Sequence, residues 1–192
     1  QFKNKRIAII GDVMLDAYLI GGVTRISPEA PVPIVGLSKK ENRLGGAANV
    51  ALNIVSLGAQ AVICSVVGND TEGGELIDLF EKEGVSADGI IQSQDRKTTV
   101  KTRVIGNNQQ LLRIDSEQTN NISSIEEQAL VSKIEALIES DVDAIIFEDY
   151  NKGVLTPTLI SSILKKCQEK NIPTTVDPKK DNFFEYKGVT LF

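Results

Sequence analysis

Leu44-Gly45-Gly46-Ala47-Ala48-Asn49-Val50-Ala51-Leu52-Asn53-Ile54-Val55-Ser56-Leu57-Gly58, with the apolar run Ala61 to Val67 close behind it, places a helix directly before a buried strand and decides the fold class. Ala47, Val50, Ala51, Ile54 and Leu57 recur at the three-and-four spacing of a helix that buries one face, so a helix is predicted over residues 46–57. Gly58 stands where a left-handed C-terminal cap belongs. The run after it is short, β-branched and unalternating, as a strand covered on both faces requires. Gly45 and Gly46 carry two readings. Either they let the helix pack tightly against a sheet, or they let backbone amides approach a ligand with Asn49 in the first turn beside them.

The same alternation continues outward. Ile7 to Ile10, Ala144 to Phe147, Thr174 to Val176 and Val189 to Phe192 read as further buried strands. Helical patterns lie between them: residues 72–83 ended by Gly84, residues 125–138 behind a Ser123-Ser124-Ile125-Glu126 capping box, and residues 157–169 with Thr156 as cap and Pro157 in the first turn. Strand alternating with helix is α/β architecture with a parallel sheet. Two stretches, residues 32–39 and 98–114, alternate with the two-residue period of half-exposed sheet, and the second turns at Gly106-Asn107-Asn108. They predict a small antiparallel sheet inserted within residues 22–44 and 96–115, acting as a lid, a dimer contact or both.

A chain of 192 residues that is 41% hydrophobic can bury a substantial core. Its net charge of −5 argues against nucleic acid or an anionic membrane as main partner. The apolar stretch Ile7 to Ile10 is too short for a signal peptide or membrane span, so a cytoplasmic location is expected. Cys64 and Cys167 fall in predicted strand and helix, and with no histidine in the chain they read as reduced core thiols and not metal ligands.

In an open parallel sheet, ligands sit at the carboxyl ends of the strands. The first strand leads there into Gly11-Asp12-Val13-Met14-Leu15-Asp16, and Asp16 either accepts hydrogen bonds from sugar hydroxyls or, like Asp12, serves as a turn or cap residue. Asp149-Tyr150-Asn151-Lys152-Gly153 follows another strand, which puts Asp149 and Lys152 at the same edge; Lys179 follows Asp177-Pro178 in the same way. From Arg96 to Arg113 the chain carries Lys97, Lys101 and Arg103 besides those two arginines, and no acid. Lys101 and Arg103, two apart on one strand face, either grip a phosphate or remain solvated. No Gly-x-Gly-x-x-Gly follows the first strand and no Gly-x-x-x-x-Gly-Lys-Ser/Thr occurs, so those nucleotide-binding routes are excluded.

Gly11 with Asp16, then Gly45-Gly46 with Asn49, then Gly68-Asn69-Asp70 with Gly73 and Gly74, resembles in order the N-terminal half of the PfkB, or ribokinase-like, carbohydrate kinases. The likeness runs from about Arg6 to the last residue. Within that family, Arg25-Ile26-Ser27-Pro28-Glu29-Ala30-Pro31-Val32-Pro33, Asn108-Gln109-Gln110, the Asp149 to Gly153 string and Val176-Asp177-Pro178-Lys179 look like those of heptose 7-phosphate kinases. The resemblance implies a doubly wound sheet with a β lid. It implies transfer of the ATP γ-phosphoryl, with Mg2+, to the C1 hydroxyl of D-glycero-D-manno-heptose 7-phosphate, a precursor step of lipopolysaccharide synthesis. Asp16 and Asn49 would bind sugar hydroxyls, the amides of Gly45 and Gly46 would line the site, and Asn108 joins the substrate residues from its matching string. Lys101, Arg103, Asp149 and Lys152 would meet the sugar or its phosphate, Lys179 the nucleotide, and a homodimer would form through the lid.

One departure stands out. Residues 1–192 read as the N-terminal part of one kinase domain, because no Gly-Ala-Gly-Asp occurs in them. That motif supplies the family's catalytic aspartate and an anion hole, so no catalytic residue and no metal ligand is expected in this chain, and little turnover from it alone. Two other readings are open: a PfkB-type kinase for a ribose- or fructose-like sugar, and a non-catalytic sugar-binding or dimerising fragment.

Overall fold

The computed structural model describes residues 2–192, and Gln1 lies outside them. In chain order the elements are β1 (Arg6–Gly11), β2 (Val13–Ile26), β3 (Pro33–Gly46), α1 (Ala47–Ser56), β4 (Gln60–Gly68), α2 (Thr71–Lys82), β5 (Ser86–Ser93), β6 (Val100–Gly106), β7 (Gln109–Ser116), α3 (Ser124–Glu139), β8 (Ala144–Glu148), α4 (Pro157–Lys170) and β9 (Thr174–Asp177). Five strands form a parallel sheet in the order β5-β4-β1-β8-β9. Because side chains alternate along a strand, β1 feeds two cores. Ile7 and Ile9 join Ala47, Ala51, Leu76 and Phe80 of α1 and α2 on one face, while Ala8 and Ile10 join Leu130, Ile134, Leu159 and Ile163 of α3 and α4 on the other. Each fully buried Ile or Leu contributes roughly 1.5–3 kcal/mol, so neither helix layer is dispensable.

The helix ends are written locally. Asp70 caps α2 by accepting from the Gly73 amide at 2.7 Å, Ser123 and Glu126 complete the capping box of α3, and Thr156 caps α4 with Pro157 in its first turn. Gly58 is left-handed, with φ +87°, as expected. The chain runs from β1 outward to β4 and β5 on one side and later to β8 and β9 on the other, so the order reverses at β1. A reversal of this kind opens a crevice at the carboxyl ends of the strands.

Three expectations are corrected. The second sheet is mixed, not antiparallel: its order is β3-β2-β6-β7, and β2 runs parallel to β6 while the outer pairs are antiparallel. It also begins earlier than residue 22, because β2 starts at Val13, one residue past β1; its first half is buried at Val13, Met14, Leu15 and Ala17 and therefore shows no exposed-sheet alternation. Finally, Val189 to Phe192 form only an isolated bridge, Thr175 to Leu191, whereas β5 was absent from the predicted strands. Asp88 and Gly89 break the apolar pattern of β5, an edge strand with only part of its length buried.

Candidate active site

Asp12 is the single residue between β1 and β2, and three segments meet on it. Its amide donates to the carbonyl of Glu148 at 3.1 Å, and its carbonyl accepts from the Ala47 amide at 3.0 Å. Its side chain, 1% exposed, accepts from the amides of Tyr150 (2.9 Å), Lys152 (3.1 Å) and Val154 (3.1 Å). Burial pushes its carboxyl above the ordinary range, the three amide bonds pull it back, and neighbouring Asp149 adds to the rise.

The glycine pair closes this junction from the other side. Gly46 has φ +59°, and a side chain there would stand 2.5 Å from the Asp12 carbonyl oxygen. A Cβ on Gly45 would stand 2.7 Å from Oδ2 of Asp16. The two glycines pair in register with Val13 and Met14 of β2, so their missing side chains make room for Asp16 and Met14 as well as turning the chain into α1. Asn49 is exposed on the first turn of α1 and lines a cleft with Glu41, Arg43, Leu52, Leu79 and Lys82, at the edge of β3.

One face of the mixed sheet gathers the predicted basic residues. Asp16 and Tyr18 of β2 lie in register with Lys101 and Arg103 of β6 and with Arg43 and Glu41 of β3. Arg103 has a partner that the sequence did not name: its Nη1 donates to Oδ1 of Asp16 at 2.6 Å, and that contact holds the guanidinium more firmly protonated than usual. Tyr18 lies between two guanidiniums, Arg43 at 4.8 Å and Arg103 at 5.3 Å from its ring centre. Lys101 is likewise paired, with Asp115 at 3.1 Å and Glu117 at 3.2 Å, and the other oxygen of Glu117 takes Lys152 at 2.8 Å. Lys152 first and Lys101 second hold the Glu117 carboxyl below its ordinary range. The result is a half-buried chain of charges, Lys152–Glu117–Lys101–Asp115, on the face that carries Asp16 and Arg103. Glu117, Arg43 and Tyr18 escaped the sequence reading because their partners are distant in sequence, on other strands or in the loop after β8.

Two expected substrate residues fall elsewhere. Asp149 is 1% exposed and faces inward, its carboxylate accepting from Tyr186 Oη (2.8 Å), Asn182 Nδ2 (2.9 Å) and the Asn151 amide (2.8 Å). It anchors the loop. Asn108 occupies the β6–β7 turn with φ +64°, beyond the Gly106 end of β6, whereas Asp16 is level with Lys101. At about 3.3 Å per strand residue, the stretch from Lys101 to Gly106 alone sets it roughly 17 Å from Asp16.

At the ends of β8 and β9, Glu148 and Asp177 stand in register. Burial pushes the Glu148 carboxyl up to about 7, the charge of Asp177 adds to this, and Lys179 opposes it. Lys179 lies 3.7 Å from Asp177 and over the Tyr150 ring at 5.1 Å. Glu148 directly follows the predicted strand Ala144 to Phe147, and a carboxylate at that carboxyl edge is the signal that would have found it.

The description "pfkB family carbohydrate kinase" matches residues 4–186. The chain is 46% identical over 191 residues to the bifunctional protein HldE of Pelobacter propionicus, covering 100% of this chain and 39% of the relative. It is 42% identical over 186 residues to that of Citrifermentans bemidjiense, covering 97% and 38%. The chain thus spans about two fifths of the length of these curated relatives. Among solved structures, 2-dehydro-3-deoxygluconokinase of Thermotoga maritima superposes with a TM-score of 0.68 at 19% identity, over 92% of this chain and 52% of that one. Arabidopsis thaliana ribokinase complexed with ribose and ATP gives 0.62 at 13%, over 93% and 55%. At those identities the likeness is one of fold.

Proposed function

The chain belongs to the pfkB family of carbohydrate kinases, and on that premise we propose that it forms the sugar-binding part of an ATP-dependent kinase for heptose 7-phosphate. The phosphoryl acceptor in this reading is the C1 hydroxyl of D-glycero-D-manno-heptose 7-phosphate. The observation that carries it is the placement of Asp16 and Arg103, a carboxylate for hydroxyls and a guanidinium for phosphate, 2.6 Å apart beside the glycine pair. Lys101 and Lys152 extend the cationic side of that patch, and each is held by a carboxylate that an arriving phosphate would replace.

The roles divide by charge. Asp16 accepts from sugar hydroxyls and orients the ring; Arg103, with Lys101 and Lys152, binds the phosphate the sugar already carries. Phosphoryl transfer is mostly positioning and charge stabilisation, so fixing both ends of the sugar is a large share of the chemistry. ATP supplies the transferred group and Mg2+ enters with its phosphates. Lys179, half-buried just past β9 beside Tyr150, suits a phosphate by charge and placement, and we assign it to the nucleotide.

A homodimer through the mixed sheet is part of the same reading. The face opposite Arg103 exposes Leu37, Leu112 and Ile114 at 59%, 49% and 54%. A cytoplasmic location follows from the need for ATP; among the described residues no helix is long and apolar enough to cross a membrane.

Titration calorimetry with heptose 7-phosphate and with the unphosphorylated heptose tests the substrate. The phosphate is expected to strengthen binding at least tenfold, about 1.4 kcal/mol. Equal affinities would overturn the phosphosugar assignment in favour of a kinase for a ribose- or fructose-like sugar.

A further inference from the structure

We infer that Asp12 is a positioning residue for Lys152, acting through the loop that follows β8; this rests on the reading above, in which Lys152 meets the sugar phosphate. The loop is built to receive an anion. Asn151 and Gly153 have φ of +53° and +88°, and with these two left-handed residues the loop brings the amides of Tyr150, Lys152 and Val154 to one point. The carboxylate of Asp12 occupies that point and accepts from all three, at 2.9, 3.1 and 3.1 Å.

A carboxylate suits this place and an amide does not. Three N–H donors need an acceptor with two oxygens and no hydrogen of its own. An asparagine would turn its NH2 toward at least one loop amide and leave that amide without a partner.

The opposite side of the loop is held as well. Arg96 donates to the carbonyl of Lys152, and also to those of Asn120 at 2.9 Å and Gln118 at 3.3 Å, so the backbone of Lys152 is held at both its N–H and its C=O. With its backbone fixed in this way, Lys152 extends its ammonium to Glu117 at 2.8 Å, and Glu117 in turn meets Lys101 at 3.2 Å. Asp12 itself is buried and its oxygens are committed, so it does not touch substrate. Its backbone also joins Glu148 to Ala47, which ties the same loop to the start of α1.

The test is a double-mutant cycle on the full chain, with heptose 7-phosphate as probe and its dissociation constant as readout. Asp12→Asn and Lys152→Met are each expected to weaken binding about tenfold or more, and the double variant to bind within twofold of Lys152→Met alone. Hydrogen exchange at the amides of Tyr150, Lys152 and Val154 is expected to accelerate at least tenfold in Asp12→Asn while the amides of β4 and α3 keep their rates. Multiplicative losses in the cycle, or unchanged protection of the three amides, would overturn the role of Asp12. Should Asp12→Asn fail to fold, Arg96→Gln carries the same cycle from the carbonyl side, with the same non-additivity expected and the same multiplicative result against it. Absence of binding by the unmodified chain would overturn the phosphosugar reading, whereas binding with multiplicative losses overturns only the link from Asp12 to Lys152.

Discussion

The carboxylate of Asp16 lies in the space a side chain on Gly45 would take, with Oδ2 2.7 Å from that missing Cβ, while Oδ1 holds Arg103 at 2.6 Å. Gly45 thus fixes where Asp16 points, and through it where Arg103 points. The new methyl of Gly45→Ala would also press on Met14 Cγ at 3.0 Å, so the variant is expected to lose about 1–3 kcal/mol of stability, as overpacking does. Displacing Asp16 should weaken sugar binding in addition. Chemical denaturation and calorimetry measure the two effects, and undiminished affinity would show that Asp16 does not need this seat.

Glu148 makes the pH dependence specific. Its carboxyl is raised from an ordinary 4.5 to about 7, chiefly by burial, so the folded chain keeps a proton that the unfolded chain releases. The protonated form therefore contributes stability below about 4.5, and that contribution is lost as pH rises through about 7. Glu148→Gln removes this dependence. Its melting temperature should be close to that of the parent at pH 5 and several degrees above it at pH 8; an equal difference at both values would mean that Glu148 titrates normally.

Glu117 has the opposite sign. Held below its ordinary range by Lys152 and Lys101, its carboxylate stabilises the fold above the unfolded value of 4.5, and this is lost as pH falls through the depressed one. Glu117→Gln is expected to cost about 1–2 kcal/mol at pH 7, the magnitude of a charge-assisted hydrogen bond at a partly exposed site, and less as the pH approaches 3. It also removes the anion that competes for both lysines, so affinity for heptose 7-phosphate should rise a few-fold while stability falls. A parallel fall of both quantities would make Glu117 a support for the lysines and not a competitor.

What the sequence disclosed follows from how local each signal is. The helices were legible to within one residue at each end, since caps such as Ser123 with Glu126 and Thr156 with Pro157 act within a single turn. The central strands were legible because Ile7 to Ile10 and Ala61 to Val67 are apolar on both faces. β2 was hidden because its buried half does not alternate, and the parallel β2–β6 pairing because nothing in residues 13–26 names residues 100–106 as partner. The candidate site shows the same division. Asp16 and Gly45-Gly46 were found by their motif, but the Arg103 partner of Asp16 is 87 residues away, and the groups that turn Asp149 inward, Asn182 and Tyr186, are 33 and 37 away. Between Arg96 and Arg113 the sequence carries only positive charge, yet the fold brings Asp16, Asp115 and Glu117 to Lys101 and Arg103, for which the sequence offered only a phosphate or solvent as partner.

The outer face of the mixed sheet yields the last prediction. β7 is an edge strand exposed along its whole length, and Leu112 and Ile114 sit opposite Val104 and Thr102, on the side away from Arg103. An edge carrying adjacent apolar side chains and no covering helix is a surface that association would bury. The chain is therefore expected to sediment as a dimer at micromolar concentration, and the double variant Leu112→Lys with Ile114→Lys as a monomer of unchanged secondary structure. Since both side chains point away from Asp16 and Arg103, heptose 7-phosphate should bind the monomeric variant with nearly the parent affinity. A monomeric parent chain, or a variant that still dimerises, would remove this face from the assembly; a variant that is monomeric but no longer binds the sugar would mean that the partner subunit helps to shape the site.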